Sequence, residues 1–359
     1  MKNKKFPKKI MVKEGAYIGD DEECFIVAEV GQNHNGDIQN ARKLIDVAEE
    51  AGVNAVKFCK RHIPSELTEK AYNRPYRGPQ SFGETYGKHR EFLEFTREQH
   101  KQLAEYARGK GLIYFASACD QKSVDDMEYI GVPLYKVASR DLTNIPLIEY
   151  MAKTQKPIIM STGMATKKDI DHAVNTVSKH HKKIILLNCT SEYPCEVEHV
   201  NMKKMGAVKE KWGTVVGFSG HTVGVQMPVV AVARGAKVVE KHITLHRHMK
   251  GSDHAASLEP EGLERVVRDI RNAEKGLGDG KIKFRDYMKD SKNKLARSLV
   301  LDEPIEEGEE LTENHLTLKS PGTGVIWRNR DKVIGGRAKD NFSSDVLVKK
   351  EMFSHDGKC

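Results

Sequence analysis

Two histidines in this chain carry the first chemical signal. His221 stands just behind the apolar run Thr214–Phe218, and His242 just behind Lys237–Val239; Val225–Arg234 lies between them as a mostly apolar helical stretch stopped by Gly235. In a strand–helix–strand unit the parallel strands are neighbours, so matched ends bring the two imidazoles side by side. Two neutral imidazoles converging at a strand-end face can hold a divalent metal and leave positions open for substrate. The plainer alternative is two unconnected histidines at loop starts, and the matched location favours the metal site. Other strand ends carry lysines and hydroxyls: Lys57, Ser117, Lys136 with Ser139, Ser161, Ser191 and Ser219. A lysine within or beside an apolar strand costs several kcal/mol if buried unpaired, roughly what buried ions cost in general. Lys57 and Lys136 are therefore expected either in structural ion pairs or facing an anion. Lysines and serines together suit a phosphate and a carboxylate, although single serines also serve as ordinary caps. Glu29 can pair with Lys57 or act as an acid or base. Cys59, Cys119 and Cys189 lie near the same face and are read as packing residues.

These residues need a frame that gathers strand ends at one place. From Cys24 onward, apolar runs (Cys24–Val30, Ala55–Phe58, Leu112–Phe115, Leu134–Val137, Pro157–Met160, Lys183–Leu187, Thr214–Phe218, Lys237–Val239) alternate with helical patterns ending in Glu259–Leu277. Eight such repeats predict an α/β fold, a (β/α)8 TIM barrel whose chemistry sits at the carboxyl ends of the strands. A doubly wound open sheet is the alternative; no GxGxxG follows the first strand, which counts against a dinucleotide-binding version. The domain division reads as a basic N-terminal tail over 1–22, a catalytic barrel over 23–281, a linker over 282–295 and a small, mostly β domain over 296–353. The connection from Lys60 to Thr96 is long, and Tyr72, Tyr76, Phe82, Tyr86, Phe92 and Phe95 predict an ordered lid rather than a floppy insertion.

The 359 residues include 59 basic and 51 acidic side chains, a formal net charge of +8. Part of the excess is the start, MKNKKFPKKIMVK, which resembles a signal n-region but has no apolar h-region behind it. No run approaches the length of a membrane span. The 6 cysteines (Cys24, Cys59, Cys119, Cys189, Cys195, Cys359) form no CxxC pair and no dense framework, which predicts reduced thiols and a cytoplasmic protein. Basic residues are scattered rather than striped with aromatics, so nucleic acid is not an expected partner; mild positivity suits a small anionic substrate.

The stretches AEVGQNHNGD, VKFCK, STGM, CTSEYP, GFSGHT, EKHIT and GSDHAASLEP, in this order, resemble the sialic acid synthases (N-acetylneuraminate synthases and their nine-carbon relatives). The tyrosine-rich lid looks like the animal-type enzymes, and residues 296–353 are similar to the antifreeze-like (SAF) domain that ends them. The resemblance implies condensation of phosphoenolpyruvate with an open-chain N-acetylhexosamine, with phosphate leaving by C–O cleavage. It implies Mn²⁺ or Mg²⁺ on His221 and His242. Lys57, Ser117, Lys136, Ser139, Ser161, Ser191 and Ser219 match phosphoenolpyruvate-binding positions, Glu29 the carboxylate near the reacting carbonyl, and Asp141, Tyr193 and Asp253 sugar-side contacts. A homodimer with exchanged C-terminal domains is implied as well. Three positions depart from the family pattern: Cys59 where relatives commonly have glutamine, Arg140 where they have glycine, and Ser320 where bacterial relatives have an arginine.

The expected product is a nine-carbon 2-keto acid made from phosphoenolpyruvate and N-acetylmannosamine; the alternatives are the 6-phosphate of that sugar or another hexosamine, as in legionaminate or pseudaminate synthases. A metal hydrolase would leave Lys57 and Lys136 without a role, and a binding protein would not need lysines at strand ends. The free sugar is expected over its 6-phosphate. Lid cations Arg74, Arg77, Lys88 and Arg90 suit a phosphate, but Glu84, Glu91, Glu94 and Glu98 can pair with them. Arg140 is assigned to an ion pair or to the enolpyruvate carboxylate.

Overall fold

The computed structural model describes residues 5–355. Eight strands, β3 (Phe25–Gly31), β4 (Ala55–Lys60), β5 (Ile113–Ala118), β6 (Tyr135–Val137), β7 (Ile158–Ser161), β8 (Ile184–Cys189), β9 (Val215–Gly220) and β10 (Val238–His242), form a closed barrel in which β10 pairs with β3. All barrel pairings are parallel. Parallel strands are covered on both faces, which is why β3, β5, β8 and β9 are buried at every position and read as continuous apolar runs. Helices follow each strand. Several starts are held by side-chain caps, such as Asp37 before Ile38–Glu50, Thr96 before Arg97–Gly109 and Thr166 before Lys167–Ser178.

The start of the chain corrects the reading of a basic tail. Lys9–Lys13 (β1) and Ala16–Gly19 (β2) pair as an antiparallel hairpin, and Ile10, Val12 and Ile18 are buried in the same core as the barrel. Apolar residues alternate with lysines in KIMVK, so one face is buried while the charges stay in water. Residues 1–4 of that call lie outside the described part.

The connection between β4 and β5 is ordered. It contains the helices Ile63–Glu66, Glu69–Tyr72 and Tyr86–Leu93, and its rings pack on one another, Phe82 on Phe92 at 4.9 Å and Tyr76 against His89 at 4.7 Å. Gly87 is required there, since a Cβ would meet the Tyr72 ring at 2.0 Å.

The chain divides into two compact units, 1–278 and 279–359. In the second, β11 (Ser298–Leu301) pairs with β12 (Leu316–Lys319) and β13 (Arg337–Ala338) with β14 (Phe353–Ser354) around a separate core that includes Leu299, Leu301, Ile305 and Phe353. Part of the stretch read as a linker is helical, Lys289–Leu295. Among the described residues no helix is long and apolar enough to cross a membrane, and Cys24, Cys59, Cys119, Cys189 and Cys195 are free thiols. Cys359 lies outside the described residues.

Candidate active site

Strand register does the gathering. His242 lies beside Glu29 and Glu29 beside Lys57; Cys59 lies beside Ser117 and Ser117 beside Lys136. On the far side, Cys189 is level with Ser219 and Ser219 with Glu240. Side chains two apart on a strand share a face, so Lys57 with Cys59, and Glu240 with His242, project inward together. These residues line one cavity of about 350 Å³ at the carboxyl ends of the strands. Of the residues singled out from the sequence, Glu29, Lys57, Ser117, Lys136, Ser139, Ser161, Ser191, Tyr193, Ser219, His221, His242 and Asp253 all line it. Asp141 does not; it stands 3.5 Å from the Arg140 guanidinium.

The two lysines share carboxylates. Lys57 is in contact with Glu29 and lies 3.8 Å from Glu240, while Lys136 lies 3.6 Å from the same Glu240 oxygen. Lys57 also donates to Ser117 Oγ at 3.0 Å, and Ser219 Oγ donates to Glu240 at 3.2 Å. Burial acts on every group here, and neighbours decide the outcome. At Glu29 burial dominates over Lys57, pushing its carboxyl up to about 7. At Glu240 burial also pushes upward, but Lys136 and Lys57 together outweigh it and hold the group below the usual carboxylate range. Burial pulls Lys57 down, and Glu240 and Glu29 more than reverse it, so the ammonium is kept. The result is one firmly ionised carboxylate between two lysines, and a second carboxyl able to exchange a proton near neutrality.

On one side of this network sit hydrogen-bond donors: Lys136 with Ser139, Ser161, Ser191 and Ser219, on strands β6 to β9 or their loops. Ser161 Oγ is buried without a hydrogen-bond partner. Gly163 lets its backbone approach: a Cβ there would lie 2.5 Å from Ser191 Oγ and 2.8 Å from Ser139 Oγ.

His221 and His242 have ring centroids 5.6 Å apart, and the Tyr193 ring lies against both, at 3.9 and 5.9 Å. His221 Nδ1 is 2.7 Å from the Thr190 carbonyl, which can only accept; Nδ1 therefore carries the proton and Nε2 keeps its lone pair. His242 Nδ1 is buried and has no hydrogen-bond partner. Burial lowers His221 to about 3 and His242 to about 4, so both are neutral at physiological pH. Neutral, oriented imidazoles with a buried unpaired nitrogen fit a divalent cation. Among the described residues no group of three or more His, Cys, Asp or Glu side chains has ligand geometry, so a bound ion would keep its other positions for water and substrate. Gly31, at φ +54°, is held open at this spot: a Cβ would come within 3.0 Å of Glu29 Oε1 and 3.3 Å of the His242 ring.

Among the wall residues that sequence reasoning missed are Glu240 and Arg61. Glu240 precedes Lys241 and His242 in EKHIT; period-two alternation with His242 was the available signal. Arg61, directly behind β4, lines the cavity beside Arg90 and Arg140, and no local pattern marks it, because its place depends on how the lid packs.

A closed parallel barrel with a lysine-, serine- and histidine-lined cavity at its strand ends, followed by a small β domain, defines a TIM-barrel protein of the two-unit kind. Within that class the chain belongs to the NeuB family: the sequence model of that family matches residues 44–282 and that of the SAF domain residues 296–354. It is 35% identical to the N-acetylneuraminate-9-phosphate synthase of Homo sapiens over 96% of each chain. It is 36% identical to the N,N'-diacetyllegionaminic acid synthase of Campylobacter jejuni, over 90% of this chain and 98% of that one. A crystal structure of the N-acetylneuraminic acid synthetase of Leptospira borgpetersenii, solved with citrate, matches with a TM-score of 0.71 and 30% identity, over 80% of this chain and 96% of that chain.

Proposed function

We propose that this chain condenses phosphoenolpyruvate with the open-chain aldehyde of N-acetylmannosamine to give a nine-carbon 2-keto acid and inorganic phosphate. The observation that carries this reading is the single cavity in which Lys57, Lys136 and a ring of serines stand beside His221 and His242. Lys57, Lys136 and the serines, Ser117 included, hold the phosphate and carboxylate. The C2–C3 π pair of the enolpyruvate attacks the aldehyde carbon, forming the new C–C bond as the aldehyde oxygen takes up a proton. Water adds at C2 and loses a proton. The C2–O bond to phosphate then breaks, phosphate leaves with the bridging oxygen, and the ketone forms. Glu29, next to Lys57 and level with His242, is placed to give or take one of these protons. A divalent ion, Mn²⁺ or Mg²⁺, on His221 and His242 would polarise the aldehyde oxygen. Tyr193 and Asp253 line the same cavity and are assigned to the acceptor by the resemblance. The resemblance also supports a cytoplasmic homodimer with exchanged C-terminal domains.

Phosphate release should require both substrates, and label in the bridging oxygen of phosphoenolpyruvate should appear in the phosphate. Release from phosphoenolpyruvate alone, with label retained in the keto acid, would replace the condensation with a hydrolase. The 6-phosphate of the same sugar stands as a second reading, because one wall of the cavity carries arginines.

A further inference from the structure

A second cavity, of about 620 Å³, lies in the outer layer of the barrel between the helices Lys167–Ser178 and Lys203–Trp212. It shares no lining residue with the active-site cavity. Its floor is apolar, made by the buried side chains of Ile170, Val208 and Trp212. Trp212 Nε1 donates to Asp171 at 2.9 Å, which fixes the ring as part of that floor. The rim is cationic. Lys167 is matched by Asp171 at 2.7 Å. Among the described residues neither Lys204 nor Lys211 has a carboxylate within ion-pair distance, although Glu210 also lines the cavity. Lys204 is the half-buried one of the pair. Its Nζ donates to the Thr162 carbonyl at 3.1 Å and has no other hydrogen-bond partner among the described residues. Burial lowers its pKa below the ordinary lysine value, an effect that Cys189 offsets only in part.

Thr162 links this cavity to the first. It is fully buried, and its Oγ1 and N–H both donate to the Leu187 carbonyl, at 3.0 and 3.2 Å. Its neighbours in the chain are Ser161 and Gly163. Ser161 lines the active-site cavity with its Oγ unpaired, and Gly163 N–H donates to Ser139 Oγ at 3.0 Å. Lys204 therefore holds from behind the turn whose front carries part of the serine cradle.

An apolar cavity with a few convergent polar groups suits a small molecule with an apolar body and one polar end. An ammonium with free N–H groups in such a place gains most from a carboxylate, through a charge-assisted hydrogen bond. A dianion fits less well, because Lys167 is already paired and Glu210 offsets part of the remaining charge.

We propose that this cavity is an effector site for a monocarboxylate with an apolar, ring-bearing body, and that its occupation weakens donor binding by drawing Lys204 Nζ away from the Thr162 carbonyl. The binding half stands on the cavity alone; the donor half rests on the condensation reading above. Empty and occupied states differ in one contact, so the coupling is limited to roughly threefold to tenfold, the worth of one hydrogen bond.

The probe is 4-phenylbutyrate, with the uncharged 4-phenylbutyramide beside it, titrated calorimetrically into the full chain. The acid should bind without phosphoenolpyruvate and, about threefold to tenfold more weakly, when phosphoenolpyruvate is saturating. The amide should bind about tenfold more weakly than the acid or worse, and Lys204→Met should weaken the acid by a similar factor. Lys211→Met, on the exposed rim, should weaken it about threefold and decides the matter if Lys204→Met fails to fold. In steady-state assays the acid should raise the phosphoenolpyruvate KM to a plateau, and Lys204→Met should show the plateau KM with no acid present. No detectable binding, equal affinity for acid and amide, or binding that both lysine variants leave unchanged overturns the site. A KM that climbs without limit places the acid in the active site and overturns it as well, while binding with an unmoved KM overturns the coupling. Phosphate release with no sugar present would defeat the condensation reading and leave the calorimetry standing.

Discussion

At the scale of single residues, the site is organised by which charges are left without a partner. Removing Lys136 takes away a charge-assisted contact to the donor, so Lys136→Ala should raise the KM for phosphoenolpyruvate by about 2 kcal/mol, roughly thirtyfold, with a smaller change for the acceptor. An effect confined to the acceptor would show that the two ends of the cavity are reversed. Lys57→Ala should do the same and also destabilise the fold, because it strands the buried Glu29 and Glu240; a loss of about 3 kcal/mol in urea unfolding is expected. His221→Ala and His242→Ala should each lose most activity and most bound Mn²⁺ while keeping the wild-type circular dichroism. Chelation of the native enzyme should have the same effect and be reversed by Mn²⁺ or Mg²⁺. Near-normal turnover in both variants would remove the metal from the reading.

At the scale of elements, loops and hairpins position what the strands present. Lys241, buried between β10 and its neighbours, donates to the Thr222 carbonyl at 2.6 Å, and the His221 carbonyl accepts from Cys195 N–H at 3.0 Å. Both contacts fix the loop that carries His221. Behind β7, Gly163 keeps the serine cradle open. Gly163→Ala should therefore raise the phosphoenolpyruvate KM severalfold, since the clash is with Ser191 Oγ, Ser139 Oγ and Cys189 Sγ, all lining the cavity. An unchanged KM would mean that Ser139 and Ser191 do not hold the donor. The N-terminal hairpin makes the opposite kind of contribution. Ile18 is fully buried, so Ile18→Ala should cost about 3 kcal/mol of stability without altering KM; a loss under about 1 kcal/mol would make the hairpin incidental to the barrel.

At the scale of the whole molecule, two units with separate cores should fold independently. A chain ending at Gly278 should retain a folded barrel with cooperative unfolding. If the small domain crosses to a partner, the truncated protein should be monomeric in sedimentation and should bind the acceptor more weakly than the donor. A fully active monomer would take the small domain out of the site.

The barrel was legible because its signals are local. Eight apolar runs, each followed by a helical stretch, have one economical closed arrangement, and strand ends then select Glu29, Lys57, Lys136, His221 and His242 by position alone. Alternation in KIMVK was equally local, yet its lysines disguised a hairpin as a tail. Packing decided the rest. Whether Lys57 meets Glu29 or Glu240 depends on barrel register, which no single strand encodes. The arginine wall depends on the lid: Arg61, Arg90 and Arg140 are far apart in the chain, and Glu94 could pair with any nearby cation until the lid's aromatic cluster set its direction toward Lys60 and Arg61. Residue types put lysines, serines and histidines at strand ends; only the tertiary structure decided how the charges pair, because pairing is settled by distances of a few ångströms between segments the sequence leaves independent.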